Sequence, residues 1–226
     1  MNEWVEHLVD LTAAGEPVVI VTIAGVRGSA PREVGAKMLV TASETIGTIG
    51  GGQLEYQCTR LAVDRLDRDA AIDLERFPLG ASMGQCCGGV VEVLFETVAD
   101  GLPAWLRTLG GLHGQRTPAM LVTELGGNPA DKLIVTADAE FGETLGEDVG
   151  AARERLGRRE PAALIEGAFY EPVLGSDFDI AVFGAGHVGS ALVGVLATLD
   201  CNVRWIDSRR NVFRHVPNNA RAIETR

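Results

Sequence analysis

The period of the apolar positions changes several times along the chain, and each period predicts a different element. Apolar residues at helical spacing predict an amphipathic helix over residues 2–14, which Gly15 and Pro17 terminate. The β-branched run Val18–Ala24 is typical of a strand buried on both faces. Shorter patterns predict strands at 36–40, 46–49, 71–77 and 90–97 and a helix at 53–68.

The middle of the chain continues as mixed α/β sequence. The pattern predicts helices at 103–109 and 145–159 and strands at 118–125, 132–137 and 162–168. Residues 171–176 have the composition of a linker. We therefore expect an N-terminal mixed α/β domain over residues 1–170, a linker at 171–176 and a second domain over 177–226.

The second domain has the order of a dinucleotide-binding βαβ unit. A strand at 178–183 precedes Gly184-Ala185-Gly186-His187-Val188-Gly189, and an apolar helix and a strand ending at Asp207 follow. In such a unit the first two glycines allow the tight turn and pyrophosphate approach, the third allows helix–strand packing, and the acid binds a ribose hydroxyl. His187 and Val188 lie within the turn. The same turn also occurs as architecture with nothing bound.

Only one more strand, at 221–226, follows this unit. The sequence therefore predicts the α/β class, with an N-terminal mixed α/β domain and a Rossmann-like βαβ domain that is incomplete, containing the first half only. The unpaired edge of such a sheet favours association with another chain, so we expect a homodimer.

Composition and charge argue against several classes of protein. The formal net charge of −11 argues against nucleic-acid and acidic-membrane binding. No apolar run reaches the ~20 residues of a membrane span, and the acidic N-terminus does not resemble a signal peptide. The four cysteines (Cys58, Cys86, Cys87 and Cys201) match no zinc spacing. We expect a cytoplasmic protein with reduced thiols.

Three glycine-rich loops, at 25–35, 50–52 and 80–89, lie at junctions between predicted elements. Because such junctions commonly carry binding sites, we expect the three loops to converge. Arg27, Arg32 and Lys37 make this region locally cationic in an acidic protein. Gly50, Gly51 and Gly52 precede a helix, whose N-terminus attracts anions; the alternative is a tight turn with nothing bound.

The third loop contains the adjacent thiols Cys86 and Cys87. A thiol near amide N–H groups ionises more easily, so this pair could bind a soft metal or carry sulfur. Alternatively, only one thiol faces the site, or the cysteines act as small hydrophobic residues. Cys58 falls at helical spacing and is expected in the core.

Five motifs together resemble those of the XdhC/CoxI family, accessory proteins of molybdenum hydroxylases such as xanthine dehydrogenase. They are Gly28-Ser29-Ala30-Pro31-Arg32, Gly35-Ala36-Lys37-Met38, Gly47-Thr48-Ile49-Gly50-Gly51-Gly52-Gln53-Leu54-Glu55, Gly84-Gln85-Cys86-Cys87-Gly88-Gly89 and the C-terminal glycine turn. Their order along nearly the whole chain makes the resemblance specific.

The resemblance implies a protein that binds molybdenum cofactor (molybdopterin), keeps it while an oxo ligand is replaced by sulfur, and delivers it to a molybdenum hydroxylase. A cysteine desulfurase is a further implied partner. Cys86 or Cys87 would contact molybdenum or relay sulfur, and Gln85 would hydrogen-bond the pterin or an oxo group. The phosphate would be held by the cationic and glycine-rich residues Arg27, Arg32, Lys37, Gly50, Gly51, Gly52 and Gln53.

Two other functions compete with this one. The first is an NAD(P)-dependent oxidoreductase using the C-terminal turn, with His187 or a cysteine as the acid–base group. The second is a regulatory module in which a bound nucleotide controls docking to a partner. No catalytic dyad is evident from residue spacing, so a cofactor chaperone is favoured over a catalyst.

Overall fold

The structure is a computed structural model that describes residues 3–67, 71–80, 88–99, 101–142, 148–174, 178–199 and 201–225. The chain forms two compact units, Asn2–Leu174 and Gly175–Arg226. None of the helices in the described part of the chain is long and apolar enough to cross a membrane.

The larger unit contains the same supersecondary pattern twice. The first repeat consists of α1 (Glu3–Ala13), β1 (Val18–Arg27), β2 (Lys37–Val40), β3 (Thr45–Gly47), α2 (Gly52–Leu66), β4 (Ile72–Pro78) and β5 (Val90–Val98). The second consists of α3 (Ala104–Gly114), β6 (Ala119–Glu124), β7 (Leu133–Val135), β8 (Glu140–Phe141), α4 (Asp148–Gly157), β9 (Ala163–Ile165) and β10 (Ala168–Val173). Both therefore follow the order α-β-β-β-α-β-β.

Each repeat folds into a five-stranded sheet of identical strand order. The orders are β3-β2-β1-β5-β4 and β8-β7-β6-β10-β9, and every adjacent pair is antiparallel. β1 and β6 occupy the centres, which explains why the run from Val18 is apolar at consecutive positions. The repeat was not predicted from the sequence.

The helices of the larger unit pack on its two sheets through separate apolar clusters. Helix α2 packs on the first sheet through Leu54, Cys58 and Ala62, while Ala152 and Leu156 of α4 pack on the second. Between the repeats, α1 and α3 share a cluster that includes Leu8, Trp105 and residues of both sheets. The two repeats therefore share one of their apolar clusters.

The segment predicted as a linker is a strand over much of its length. Residues 171–173 belong to β10, which pairs with β6 through Val173. Pro172 is compatible with this strand because β9 pairs only with Ala168–Tyr170, so β10 has one neighbour at the proline. The single strand predicted at 162–168 is likewise wrong, because Glu166 and Gly167, both at positive φ, turn the chain between β9 and β10.

The smaller unit has the predicted βαβ order. Strands β11 (Phe178–Phe183), β12 (Cys201–Asp207) and β13 (Ala220–Glu224) are parallel neighbours in that order, and α5 (His187–Leu196) connects the first two. Val182, Val193, Leu196 and Trp205 form its core. The predicted α/β class, with a Rossmann-like unit at the C-terminal end, is confirmed.

Candidate functional site

The loops at 25–35 and 50–52 and the described end of the third loop, Gly88-Gly89, meet at one end of the first sheet, as the sequence predicted. A Cβ built on Gly28 would lie 3.2 Å from the Cα of Gly89, and a Cβ built on Gly50 would lie 2.6 Å from the Cβ of Pro31. The loop after β1 therefore contacts both the residues that precede β5 and the turn that precedes α2. Glycine is favoured at both positions because both have a positive φ, and a Cβ would meet the backbone of Gly89 at Gly28 and the Pro31 side chain at Gly50.

Other glycines in the same loops leave space free. No atom of the described residues lies within 4 Å of the positions that a Cβ would occupy on Gly51 or Gly88. Gly88 is exposed and Gly51 is half-buried. A ligand could therefore approach the backbone at both positions. A shallow cavity of about 420 Å³ lies along the loop after β1, lined by Val26, Gly28, Ser29, Ala30, Pro31, Arg32, Glu33 and Val34.

Two of the predicted cations lie at this junction. Arg27 ends β1 opposite Val90 and is exposed, and its carbonyl oxygen lies beside Gly89. The side chain of Arg32 lies against Gly50 and makes a 3.1 Å ion pair with Glu33 on the surface. An exposed ion pair of this kind contributes little to stability, so Arg32 can exchange Glu33 for an anionic ligand at low cost.

Lys37 does not face the glycine-rich loops, and the prediction that it binds phosphate is not retained. Its side chain is only 5% exposed and its ammonium lies 3.2 Å from the carboxylate of Glu171. It also donates to Thr22 and lies over the ring of Trp4. Because β2 places Lys37 on the face turned towards the second repeat, the ammonium is neutralised inside the protein.

The amides predicted to hold phosphate at the start of α2 already have acceptors. The amide of Gly50 donates to Thr48, and the amides of Gly51 and Ile49 both donate to Glu55 at 3.0 Å. A carboxylate on these amides opposes an anion at the same place, so Gly50 and Gly51 serve to shape the turn. Gly52 and Gln53, the first residues of α2, are both exposed beside this turn.

The hydrogen bonds to Glu55 also set its protonation. Burial by itself would raise the pKa of the Glu55 carboxyl, but the Thr48 hydroxyl and the amides of Gly51 and Ile49 outweigh burial and lower the pKa. The sequence analysis did not single out Glu55, although an acidic residue in the first turn of a helix is a recognisable capping signal.

We expect Glu55 to make the stability of the larger unit depend on acid pH. Because its pKa is lower in the folded than in the unfolded state, its contribution is present above its ordinary value of 4.5 and is lost as the pH falls towards the folded pKa. Urea unfolding of wild type and Glu55→Gln across this range measures the effect. The wild-type urea midpoint should fall more steeply with acid than that of the variant; parallel curves would contradict the assignment.

Gln85, Cys86 and Cys87, which were predicted to contact the cofactor, lie outside the described residues. In the sequence Cys87 directly precedes Gly88, which lies at the loop junction. Cys58, by contrast, is buried in α2, and burial raises the pKa of its thiol to about 12. Its predicted place in the core is confirmed. Within the described ranges, no group of three or more His, Cys, Asp or Glu residues could hold a metal ion.

The C-terminal turn forms a second candidate site, whose glycines have different roles. Gly184 has a φ of 100°, and a Cβ on Gly189 would collide with the Gly184 carbonyl oxygen, so the fold itself requires both. Around Gly186, in contrast, no described atom lies within 4 Å of a Cβ position. This free position borders a cavity of about 670 Å³ at the start of α5, where His187, Arg209 and Arg214 also lie.

Asp207 in this unit binds protein donors. Its carboxylate accepts hydrogen bonds from the Ala185 amide at 2.6 Å and from the guanidinium and amide of Arg209. The Arg209 side chain, followed by the two amides, holds the pKa of Asp207 far below its usual range. A ribose could reach this carboxylate only by replacing Arg209. Val188, predicted with the turn, is 83% exposed on α5.

Comparisons with known proteins support the fold and part of the resemblance. Residues 11–78 match the model of the XdhC and CoxI family, which confirms the resemblance over that segment. A solved structure described as a xanthine dehydrogenase from Bacillus halodurans is 22% identical, with a TM-score of 0.67, over 98% of this chain and 68% of that one. At this identity the likeness shows the fold. No curated protein matches the chain.

Proposed function

We propose that this protein is an accessory protein of a xanthine dehydrogenase-like molybdenum hydroxylase, which binds molybdenum cofactor and delivers it to that enzyme. The observation that carries the proposal is the junction of the three glycine-rich loops. Two of these loops lie inside the segment that matches the XdhC and CoxI family. The similarity to a structure described as a xanthine dehydrogenase supports the same class of target.

The residues at the junction suit such a ligand. Arg27 and Arg32 supply positive charge for the phosphate, and the open positions at Gly51 and Gly88 allow a large ring system to approach the backbone. Gln85, Gly52 and Gln53 remain proposed polar contacts. When bound, the molybdenum cofactor would supply a sulfur-ligated metal that accepts thiolate ligands. The protein supplies the thiols of Cys86 and Cys87, and it excludes Lys37 from the site by burying its charge.

Retention of the cofactor tests this proposal. The full chain is purified anaerobically from a host that makes the cofactor, and molybdenum and oxidised pterin are measured. Wild type should retain both in equal amounts, and Cys86→Ser/Cys87→Ser should lose most of the molybdenum. Cys58→Ala is the matched control, because this thiol is buried in the core. Absence of pterin from folded wild type, or full retention by the double variant, would contradict the proposal.

Binding of a nucleotide in the smaller unit is a second candidate function. It is favoured by Gly186, because the other two glycines of the turn are explained by the fold whereas the free space at Gly186 is not. Such a nucleotide could serve an oxidoreductase or control docking to a partner. The predicted role of Asp207 in binding a ribose has less support, because the Asp207 carboxylate already accepts hydrogen bonds from Arg209.

We expect Gly186→Val to fold normally and to lose nucleotide binding. The added side chain meets no described atom, yet it fills the position where the turn would receive a pyrophosphate. Calorimetric titration with NAD⁺, NADP⁺ and ATP measures the effect, and Val195→Ala is the control, because Val195 is exposed on α5 and does not line the cavity. If wild type binds none of the three, or if Gly186→Val binds as wild type does, this candidate is wrong.

A further inference from the structure

The two repeats of the larger unit are joined by reciprocal buried ion pairs. Lys37 of the first repeat pairs with Glu171 of the second, and Lys132 of the second pairs with Glu96 of the first. Each lysine also lies over a tryptophan of its own repeat: Lys37 over Trp4 at 4.8 Å and Lys132 over Trp105 at 4.4 Å. These are the only two lysines in the chain.

The strand registers show that the paired residues occupy equivalent positions. Glu96 lies opposite Ile20 of β1, and Glu171 lies opposite Leu121, the equivalent position of β6. A contact made once in each direction is the pattern of a two-fold symmetric interface. The repeats therefore meet as two copies of one protein would meet in a homodimer, but within a single chain.

All four charged side chains are removed from solvent. The exposed fractions are 5% and 9% for Lys37 and Glu171, and 1% and 4% for Lys132 and Glu96. Such a cluster is stable only while every charge keeps its partner, so it fixes the two repeats in one arrangement.

The ion pair between Lys37 and Glu171 lies next to the C-terminal end of the first glycine-rich loop. Lys37 lies two residues after this loop, and its ammonium joins Thr22 of β1 to Glu171 of β10. The residues just before it are also held: the Gly35 amide donates to Ile23, and a Cβ on Gly35 would lie 3.1 Å from Ala162 of the second repeat. The second repeat thus supports the end of the loop that contains Arg32.

The repeats differ where the first carries its candidate site. β4 and β5 are connected by residues 79–89, which include the dicysteine motif, whereas Glu166 and Gly167 suffice to connect β9 and β10. The second repeat therefore has the fold of the first without the glycine-rich loop that contains the dicysteine motif. An element that keeps the fold and the interface but lacks the loop is suited to a supporting role.

We propose that the second repeat positions the glycine-rich site of the first, and that Lys37 and Glu171 are the positioning residues. This inference rests on the proposed function for the identity of the ligand, but the ordering of the loop can be tested without any ligand. The reciprocal pair provides a matched control, because Lys132 and Glu96 have the same chemistry and burial and hold the equivalent loop of the second repeat.

The experiment compares Lys37→Met/Glu171→Gln with Lys132→Met/Glu96→Gln in the full chain. Both variants remove a complete ion pair, so neither leaves an unpaired buried charge. Hydrogen exchange of the ligand-free proteins is measured over residues 24–36 and 125–132. The first variant should accelerate exchange in residues 24–36 and the second in residues 125–132. Equal exchange of residues 24–36 in both variants would overturn the inference.

Pterin retention gives a second, separable readout. The first variant should retain about tenfold less pterin than wild type, as is common when a residue that orients a ligand contact is removed, whereas the second should retain it as wild type does. Equal loss in both variants would indicate general destabilisation and overturn the positioning role. If wild type itself retains no pterin, the proposed function fails, and exchange over residues 24–36 alone decides the positioning role.

Discussion

Lys132→Met should destabilise the larger unit by about 3–5 kcal/mol, because it leaves the Glu96 carboxylate buried without a partner. Lys132 and Glu96 are the most deeply buried ion pair of the described residues, and the lysine also contributes its contact with the Trp105 ring. Urea unfolding followed by circular dichroism measures the loss in the free energy of unfolding.

The double variant Lys132→Met/Glu96→Gln is the control for this prediction. Since it removes both charges and keeps similar side-chain volumes, most of the lost stability should return. A single variant within about 0.5 kcal/mol of wild type, the range of an ordinary surface substitution, would show that the pair is not buried as described.

Gly89→Ala should destabilise the protein by about 1–3 kcal/mol, the cost of forcing atoms into a packed region. The added methyl group would lie 2.8 Å from the Arg27 carbonyl oxygen and would collide with that of Ser29. Both carbonyl oxygens belong to the backbone at the start of the first glycine-rich loop, so the loop would have to move away from β5. Retention of pterin should therefore fall together with stability.

Gly88→Ala is the matched control, one residue earlier in the sequence. A Cβ at Gly88 meets no described atom, and its stability should remain within about 0.5 kcal/mol of wild type. Thermal unfolding of both variants tests the junction directly. If both alanine variants behave alike, the close approach between Gly89 and the first loop is wrong.

The elements that sequence predicted well are those with a strong local period. The run from Val18 is a central strand, the helix containing Cys58 is buried on its apolar face, and the turn at Gly184–Gly189 connects parallel strands. The convergence of the glycine-rich loops also followed from sequence, because each loop lies at the end of a predicted strand or helix.

Sequence reasoning failed where distant partners decide the structure. Lys37 follows a glycine-rich loop in the sequence, which suggested that it binds phosphate. Its buried partner Glu171 is 134 residues away in the sequence and is brought to it only by the fold. Similarly, residues 171–173 contain a proline that suggests a linker, yet pairing with β6 makes them a strand. Local patterns carry no information on which distant strand will be the neighbour.

The internal repeat does leave a signal in the sequence. Trp4 and Pro17 recur 101 residues later as Trp105 and Pro118, as do Val21-Thr22 as Val122-Thr123. Few other positions are identical, because the shared fold requires only the apolar pattern. A search for internal similarity at this offset would have indicated that the segment from α1 to β1 recurs.

Transfer of the cofactor to a target enzyme tests the central claim most directly. The protein is loaded with molybdenum cofactor, freed of unbound cofactor, and mixed anaerobically with a cofactor-free xanthine dehydrogenase-type enzyme. If the protein is a carrier, the loaded wild type restores hydroxylase activity, and Cys86→Ser/Cys87→Ser, prepared in the same way, does not. A carrier role would be contradicted if free cofactor, the double variant and the wild type all restore the same hydroxylase activity.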